Sequence, residues 1–184
     1  MHLKRLFAAR SDDVDLVCSL LLDAPDYWLS TFGGFPSTTD AHSVLSEFPE
    51  ACTAENQLIF GVCEKTDLVG LIRVLRSWPT PEVAVIELLL IRKSFRRRHF
   101  ACRAIEQLSR QARSWTGISK WKISVLESNP GALEFWRHCG FQEGTRGLRV
   151  RGLTGPVTNL ERRVKAHMDC TARIEAVKSR GFAH

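Results

Sequence analysis

Residues 83–108, VAVIELLLI-RKSF-RRRHFA-CRAIEQL, decide how this chain is read. Val83 to Ile91 is a nearly continuous apolar run, the pattern of a strand covered on both faces. Arg97 to Ser114 follows at helical spacing. Phe100, Ala101, Ala104, Ile105, Leu108 and Ala112 make one stripe, with Arg103, Glu106, Gln107 and Arg110 outside it. A loop entering a helix presents N–H groups without intrahelical partners and the positive end of the macrodipole. Strand, basic loop and helix together therefore read as an anion site, with phosphates as the usual guests. Arginines at that place would add charge-assisted contacts. GxxxxGK(S/T) and GxGxxG are both absent, so it is neither a Walker loop nor a dinucleotide fingerprint.

On the N-terminal side, Leu3 to Phe7 reads as a short first strand. Ser11-Asp12-Asp13 opens a helix carried by Val14, Val17, Cys18 and Leu21. Ala24 to Pro36, APDYWLSTFGGFP, reads as a loop or broken helix, and Thr38 to Glu50 as a second helix. Leu58 to Cys63 and Leu68 to Leu75, joined by Glu64-Lys65-Thr66-Asp67, form a hairpin signal, followed by a turn at Trp78-Pro79-Thr80-Pro81. On the C-terminal side Trp121 to Leu126 is a strand. Asn129-Pro130 then caps and opens a short helix that ends at Cys139-Gly140. Two final strands are expected near 146–151 and 157–164. The order is a mixed α/β layout around one sheet.

The 184 residues are 44% hydrophobic and 25% charged, ordinary for one globular domain. No apolar run reaches the ~18 residues of a membrane span, and the charged start MHLKRLFAAR is not a secretory leader. The six cysteines lack paired spacing, which argues against a disulfide scaffold or a zinc site and for reduced thiols in a cytoplasmic protein. Net charge is +6, concentrated at Arg92, Lys93, Arg96, Arg97, Arg98 and Arg103, so an anionic partner is expected.

The segment from Arg96 to Ala101 resembles the pyrophosphate-binding pattern of the GNAT superfamily of acyl-CoA-dependent N-acyltransferases: arginine or glutamine, two variable residues, glycine, one variable residue, then glycine or alanine. Arg96 and Ala101 match. His99 stands where the family has glycine, and Lys93 where a proline is common. Downstream, Asn129, Ala132, Phe135, Gly140 and Phe141 resemble the family's Asn, Ala, Phe-Tyr and Gly-Phe segment, with Trp136 in place of the tyrosine. The order of elements matches the family over residues 1–164. A tail at 165–184 is left over, which reads as a helix or as a frayed terminus.

The resemblance implies an α/β fold with a mostly antiparallel mixed sheet of about six or seven strands, containing a splayed strand pair and flanked by helices. It also implies transfer of an acetyl group from acetyl-CoA to a primary amine by direct attack in a ternary complex. Backbone groups of Leu89, Leu90 and Ile91 would bind the pantetheine arm of coenzyme A. The segment Arg96, Arg97, Arg98, His99, Phe100, Ala101 and Cys102 would cradle the diphosphate. Asn129 would contact pantetheine, and Ala132, Phe135 and Trp136 would wall the thiol end. Helical dihedrals at His99 would tolerate the missing glycine, leaving a variant phosphate site. Glu87, the one charged side chain in the run 83–91, is the candidate base, its pKa raised by apolar surroundings. The alternative is an outward or arginine-paired Glu87. Trp136 occupies the position credited with protonating the thiolate, although an indole N–H is not such an acid, which leaves that proton to water. Tyr27, Trp28 and Phe32 are the candidate acceptor wall, and Asp23 and Asp26 would draw a cation. No metal is called for. A dimer is compatible with an open-edged sheet. Two rival readings are a CoA-binding protein of the same fold without catalysis, and a nucleic-acid module using the arginines, which lacks a helix-turn-helix, zinc-finger or RNP-like signature. A hybrid, acylation of an amine carried on RNA, would reconcile the charge with the fold.

Overall fold

The apolar run 83–91 is a central strand of an eight-stranded sheet in the computed structural model, which describes residues 1–164. The tail at 165–184 and Cys170 fall outside the described residues. In chain order the elements are β1 (His2–Arg5), α1 (Ser11–Leu22), α2 (Pro25–Phe32), α3 (Thr38–Ser46), β2 (Gln57–Glu64), β3 (Asp67–Arg76), β4 (Val83–Ile91), α4 (Phe100–Ala112), β5 (Lys120–Leu126), α5 (Pro130–His138), β6 (Gln142–Glu143), β7 (Leu148–Arg149) and β8 (Pro156–Arg163). The sheet runs β1-β2-β3-β4-β5-β8-β6, with β7 also on β8, and every pairing is antiparallel except β4 with β5.

Two apolar layers clothe the sheet. On one face α4 and α5 bury Phe100, Ile105, Leu108, Leu133 and Trp136 against Ile72, Val74, Ala84, Ile86, Trp121 and Ile123. On the other, α1, α2 and α3 bury Val17, Leu20, Leu21, Trp28, Ala41 and Leu45 against Ile59, Leu71, Leu88 and Leu90. Full burial of a Leu or Phe side chain stabilises by roughly 1.5–3 kcal/mol. Leu108→Ala, at a fully buried position, would cost about 2–5 kcal/mol.

Several boundaries differ from the sequence reading. Residues 24–36 hold a true helix: Pro25 sits at its first turn and Gly33, at φ +79°, stops it in the left-handed region. The second expected helix ends at Ser46, because Glu47 is extended and Phe48 precedes a proline. The helix expected from Arg97 begins at Phe100, since Arg97 and His99 both have positive φ. The sheet has eight strands because β6 adds a short rung on β8, while the strand expected at 146–151 shrinks to Leu148–Arg149.

β4 carries a bulge. Its register against β3 pairs Arg73 with Leu88 and Val74 with Ile86, so Glu87 is the extra residue. The bulge exchanges the faces of the strand. Before it, Ala84 and Ile86 point into the α4–α5 layer; after it, Leu88 and Leu90 point into the α1–α3 layer.

Candidate active site

The sheet parts between β4 and β5. Their parallel register covers only Val83–Val85 against Lys120–Lys122, whereas β5 stays paired with β8 out to Leu126. From Ile86 onward the β5-facing edge of β4 lacks a strand partner among the described residues. The wedge therefore lies between Glu87–Ile91 and Ile123–Leu126, and the backbone groups of Leu89 and Ile91 face it, with Ile91 O accepting from Arg96 Nε at 3.1 Å. An extended chain entering it would complete the sheet as an added strand does.

The loop after β4 lies at the mouth of this wedge. A 3-10 turn at Lys93–Phe95 is followed by Arg97 at φ +62° and His99 at φ +61°, ψ +13°. Among the described residues no backbone carbonyl accepts from the amides of Arg97, Arg98, His99, Phe100 or Ala101, whereas that of Arg96 donates to Lys93 O at 3.3 Å. Left-handed residues alternating with neighbours just before a helix turn successive N–H groups into one concavity. Such a concavity, here a cradle built from backbone, suits an anion. His99 is left-handed, not helical as the sequence reading required, and has no side-chain cap bond.

The arginines divide into two sets. Arg92 donates through Nε to Leu68 O at 2.7 Å and through its terminal nitrogens to Ser19, and lies 3.9 Å from Asp23. Arg96 is held by Asp26 and by Ile91 O. Both side chains are thus engaged by the protein, and Asp23 and Asp26 face them, not a cationic substrate. Arg98 pairs with Glu64 at 3.4 Å and stacks on Phe95 and Phe100; Arg103 covers Phe100 at 4.7 Å. Phe100 and Cys102 are buried, so they support the loop through their backbones. Lys93 and Arg97 are exposed beside it.

Glu87 lies on the α1–α3 side, 2.9 Å from Arg73 Nε. Its side chain is only 25% exposed although the residue as a whole is exposed, because its backbone borders the wedge. Burial pushes its carboxyl above the usual range, and the Arg73 guanidinium opposes that shift. Glu87 is thus arginine-paired, and its affinity for protons is raised all the same. Sequence reasoning missed Arg73, yet a signal was present. It is the one charge inside LVGLIRVL, on the strand beside the run that carries Glu87.

α2 packs on the α1–α3 face through Trp28 and is tied to Arg96 through Asp26. Tyr27, Trp28 and Phe32 form one aromatic cluster, with Trp28 and Phe32 centroids 4.6 Å apart. Trp28 is buried, while Phe32 is 44% exposed and the neighbouring Phe35 is 74% exposed. Desolvation pushes the Tyr27 hydroxyl up to about 12, partly offset by a hydrogen bond with Thr31. The loop before β8 reaches across to this helix: Thr154 donates from N to Thr31 O at 3.0 Å and from Oγ1 to Ser30 O at 2.6 Å. That strap was not visible in the sequence.

On the far wall, Asn129 Oδ1 accepts from Ala132 N at 3.0 Å and caps α5. Its amide nitrogen is not used by the cap. Ala132 and Phe135 are half-buried. Trp136 is 4% exposed, and its ring sits edge-on between Phe135 and Phe141, each 5.0 Å away, a packed position.

Comparison with known proteins agrees with this geometry. The model of the acetyltransferase (GNAT) family matches residues 24–141. No curated protein sequence matches the chain. Among solved structures, an acetyltransferase from Thermus thermophilus is similar at 22% identity and TM-score 0.71, over 88% of this chain and 96% of that one. The ribosomal-protein-S18-alanine N-acetyltransferase from Escherichia coli is similar at 12% identity and TM-score 0.64, over 91% and 96%. A GNAT family acetyltransferase from Elizabethkingia anophelis with acetyl-CoA bound has 12% identity and TM-score 0.51, over 59% and 77%. At these identities the likeness is one of fold. Among the described residues no helix is long and apolar enough to cross a membrane.

Proposed function

Because the chain belongs to the GNAT acetyltransferase family, we propose that it transfers an acetyl group from acetyl-CoA to a primary amine, both substrates being bound together. The observation that carries this reading is the parted sheet with five unbonded amides at its mouth. The fit to acetyl-CoA is chemical: a long amide-bearing arm suits the free edge of β4, and a diphosphate suits the cradle at Arg97–Ala101. Lys93 and Arg97 add positive charge beside it. Bound acetyl-CoA supplies a thioester whose thiolate is the leaving group.

The protein's own contribution is placement and proton handling. The amine must lose a proton as its nitrogen bonds to the acetyl carbon and the carbon–sulfur bond breaks. Glu87, semi-buried on the acceptor side, takes that proton through a water molecule. Arg73 orients the carboxylate and keeps it charged when empty. Free N–H groups on the wedge edge of β4 donate to the carbonyl oxygen as negative charge develops there. Tyr27, Trp28 and Phe32 line the acceptor side and exclude water. Trp136 holds α5 against the core, and the departing thiolate takes its proton from solvent.

The test is a thermal shift with acetyl-CoA and CoA against ATP, followed by turnover with a panel of amines. A ligand at a hundred times its Kd adds ~2.7 kcal/mol, roughly 5–11 °C for a domain of this size. A shift specific to the CoA compounds with turnover that Glu87→Gln abolishes supports the reading. The absence of any such shift sinks it. Binding without turnover on any amine points instead to a CoA-binding protein of the same fold.

A further inference from the structure

One bidentate ion pair at the site does not face the amide loop. Arg96 closes a bidentate fork on Asp26, with Nη2 3.0 Å from Oδ1, and donates from Nε to Ile91 O at 3.1 Å. Three directions of its guanidinium are therefore committed to the protein. The fork joins the end of β4 to the first turn of α2. The residue after Arg96 opens the five-amide cradle, and the residue after Asp26 is Tyr27 of the aromatic wall. The pair stands one residue from each subsite. Arg92, one turn earlier, makes a parallel tie from β3 to Ser19 of α1. The guanidinium holds the Asp26 carboxyl below its ordinary range, so the fork stays charged at neutral pH.

We propose that the Asp26–Arg96 pair couples the two subsites, so that filling the amide cradle stiffens α2 and its aromatic wall. This inference rests on the reading of the cradle as a diphosphate site. An anion held by the amides of Arg97 to Ala101 fixes the backbone from which Arg96 projects. A point charge would transmit little of that, but a planar fork transmits both position and orientation. α2 has eight residues, too few to persist alone, so its order depends on such ties. By linkage, ordering of α2 by an acceptor strengthens binding at the cradle by the same factor. Asp26 is thus a positioning residue. The plainer role for an acid in the first turn of α2 is to favour the helix dipole. That role would act equally with the cradle empty or full.

The experiment is amide hydrogen exchange on the full chain, with and without coenzyme A as the probe. In the unmutated protein coenzyme A should slow exchange at 97–101 and also at 25–32, the latter by about fivefold or more, the low end of measured couplings. Asp26→Asn and Arg96→Lys should keep the first effect and lose the second, since lysine retains charge but not the fork. Coenzyme A affinity of Asp26→Asn by calorimetry should fall by no more than that coupling factor, about fivefold, as the cradle amides are untouched. Persisting protection of 25–32 in either folded variant overturns the coupling, as does its absence in unmutated protein that binds coenzyme A. No protection at 97–101 in the unmutated protein overturns the cradle itself, a distinct result that removes both readings.

Discussion

His99→Gly offers the sharpest check on the cradle geometry. His99 holds φ +61° and ψ +13°, a conformation that costs an L-residue roughly 1–2 kcal/mol because Cβ crowds the following carbonyl. Glycine removes that cost. It also makes the unfolded chain freer, which takes back about 0.4–1 kcal/mol. The imidazole makes no cap bond, so little else is lost. The net expectation is a gain of about 0.5–1 kcal/mol, or roughly 1–4 °C in Tm for a chain of this size. His99→Ala keeps Cβ, hence the strain, and should gain nothing. Removing the side chain also lets a phosphate approach the backbone closely. If one blocked hydrogen bond is recovered, acetyl-CoA Kd falls roughly two- to tenfold, for ~0.5–1.5 kcal/mol. Circular-dichroism melts of both variants and calorimetric titration with acetyl-CoA read these quantities. Equal stabilisation by alanine, or a destabilised glycine variant, would refute the left-handed assignment and with it the cradle.

Glu87→Gln should lower kcat by about 10²–10⁴ and remove the acidic limb of the pH–rate profile, which in the unmutated protein lies above the ordinary carboxylate range. The sign for stability follows from the same shift: the folded pKa is raised, so the stabilising contribution is complete below the unfolded value and is lost as pH rises through the folded one. Melts across the acid range should therefore flatten in the glutamine variant; an unchanged slope would count against a buried carboxyl. Tyr27 is the one tyrosine of the chain, so the ultraviolet tyrosinate band reports it alone. It should stay silent until about 12 in the folded protein, with its stabilising contribution lost as pH climbs through that value; titration near 10 with the fold intact would contradict its burial. Asp13 is fully buried, accepts from Phe7 N at 3.1 Å and from Lys4 at 2.9 Å, and its removal orphans that amide. Asp13→Ala should cost about 2–3 kcal/mol and roughly 5–10 °C; a loss under about 1 kcal/mol would show that water replaces it freely.

How much of this was legible beforehand depended on whether a feature was local. The central strand, the hairpin at 57–76, the stripe of α4 and the cap at Asn129 were all readable, because periodicity and capping are written within a few residues. The two-motif likeness pointed to the loop at 96–102 and to the end of β4. What failed was long-range or dihedral. Helical spacing at Phe100–Ala112 was extended back to Arg97, although periodicity says nothing about which side of zero φ falls on at His99. Arg92 and Arg96 read as part of a cluster awaiting an anionic partner, since their acidic partners lie about seventy residues away. Trp136 inherited a chemical role from its position, whereas the packing of Phe135 and Phe141 against it appears only in three dimensions.

The bulge at Glu87 makes the second half of β4 sensitive to arithmetic as well as to chemistry. A substitution at Glu87 alters one carboxyl and leaves Leu88 and Leu90 seated among α1–α3. Deleting the same residue joins Ile86 to Leu88, pairs them with Val74 and Arg73 in unbroken register, and leaves both apolar faces where they are. Deleting Leu89 instead has no extra residue to absorb it: Leu90 would turn toward α4–α5 and Ile91 toward α1–α3, and every contact from there to the cradle would change sides at once. Along this stretch the protein counts residues, and the bulge is the place in β4 where the count can fall by one without exchanging the faces. Drift at 88–91 should therefore proceed by replacement at constant length, with a single loss falling at Glu87.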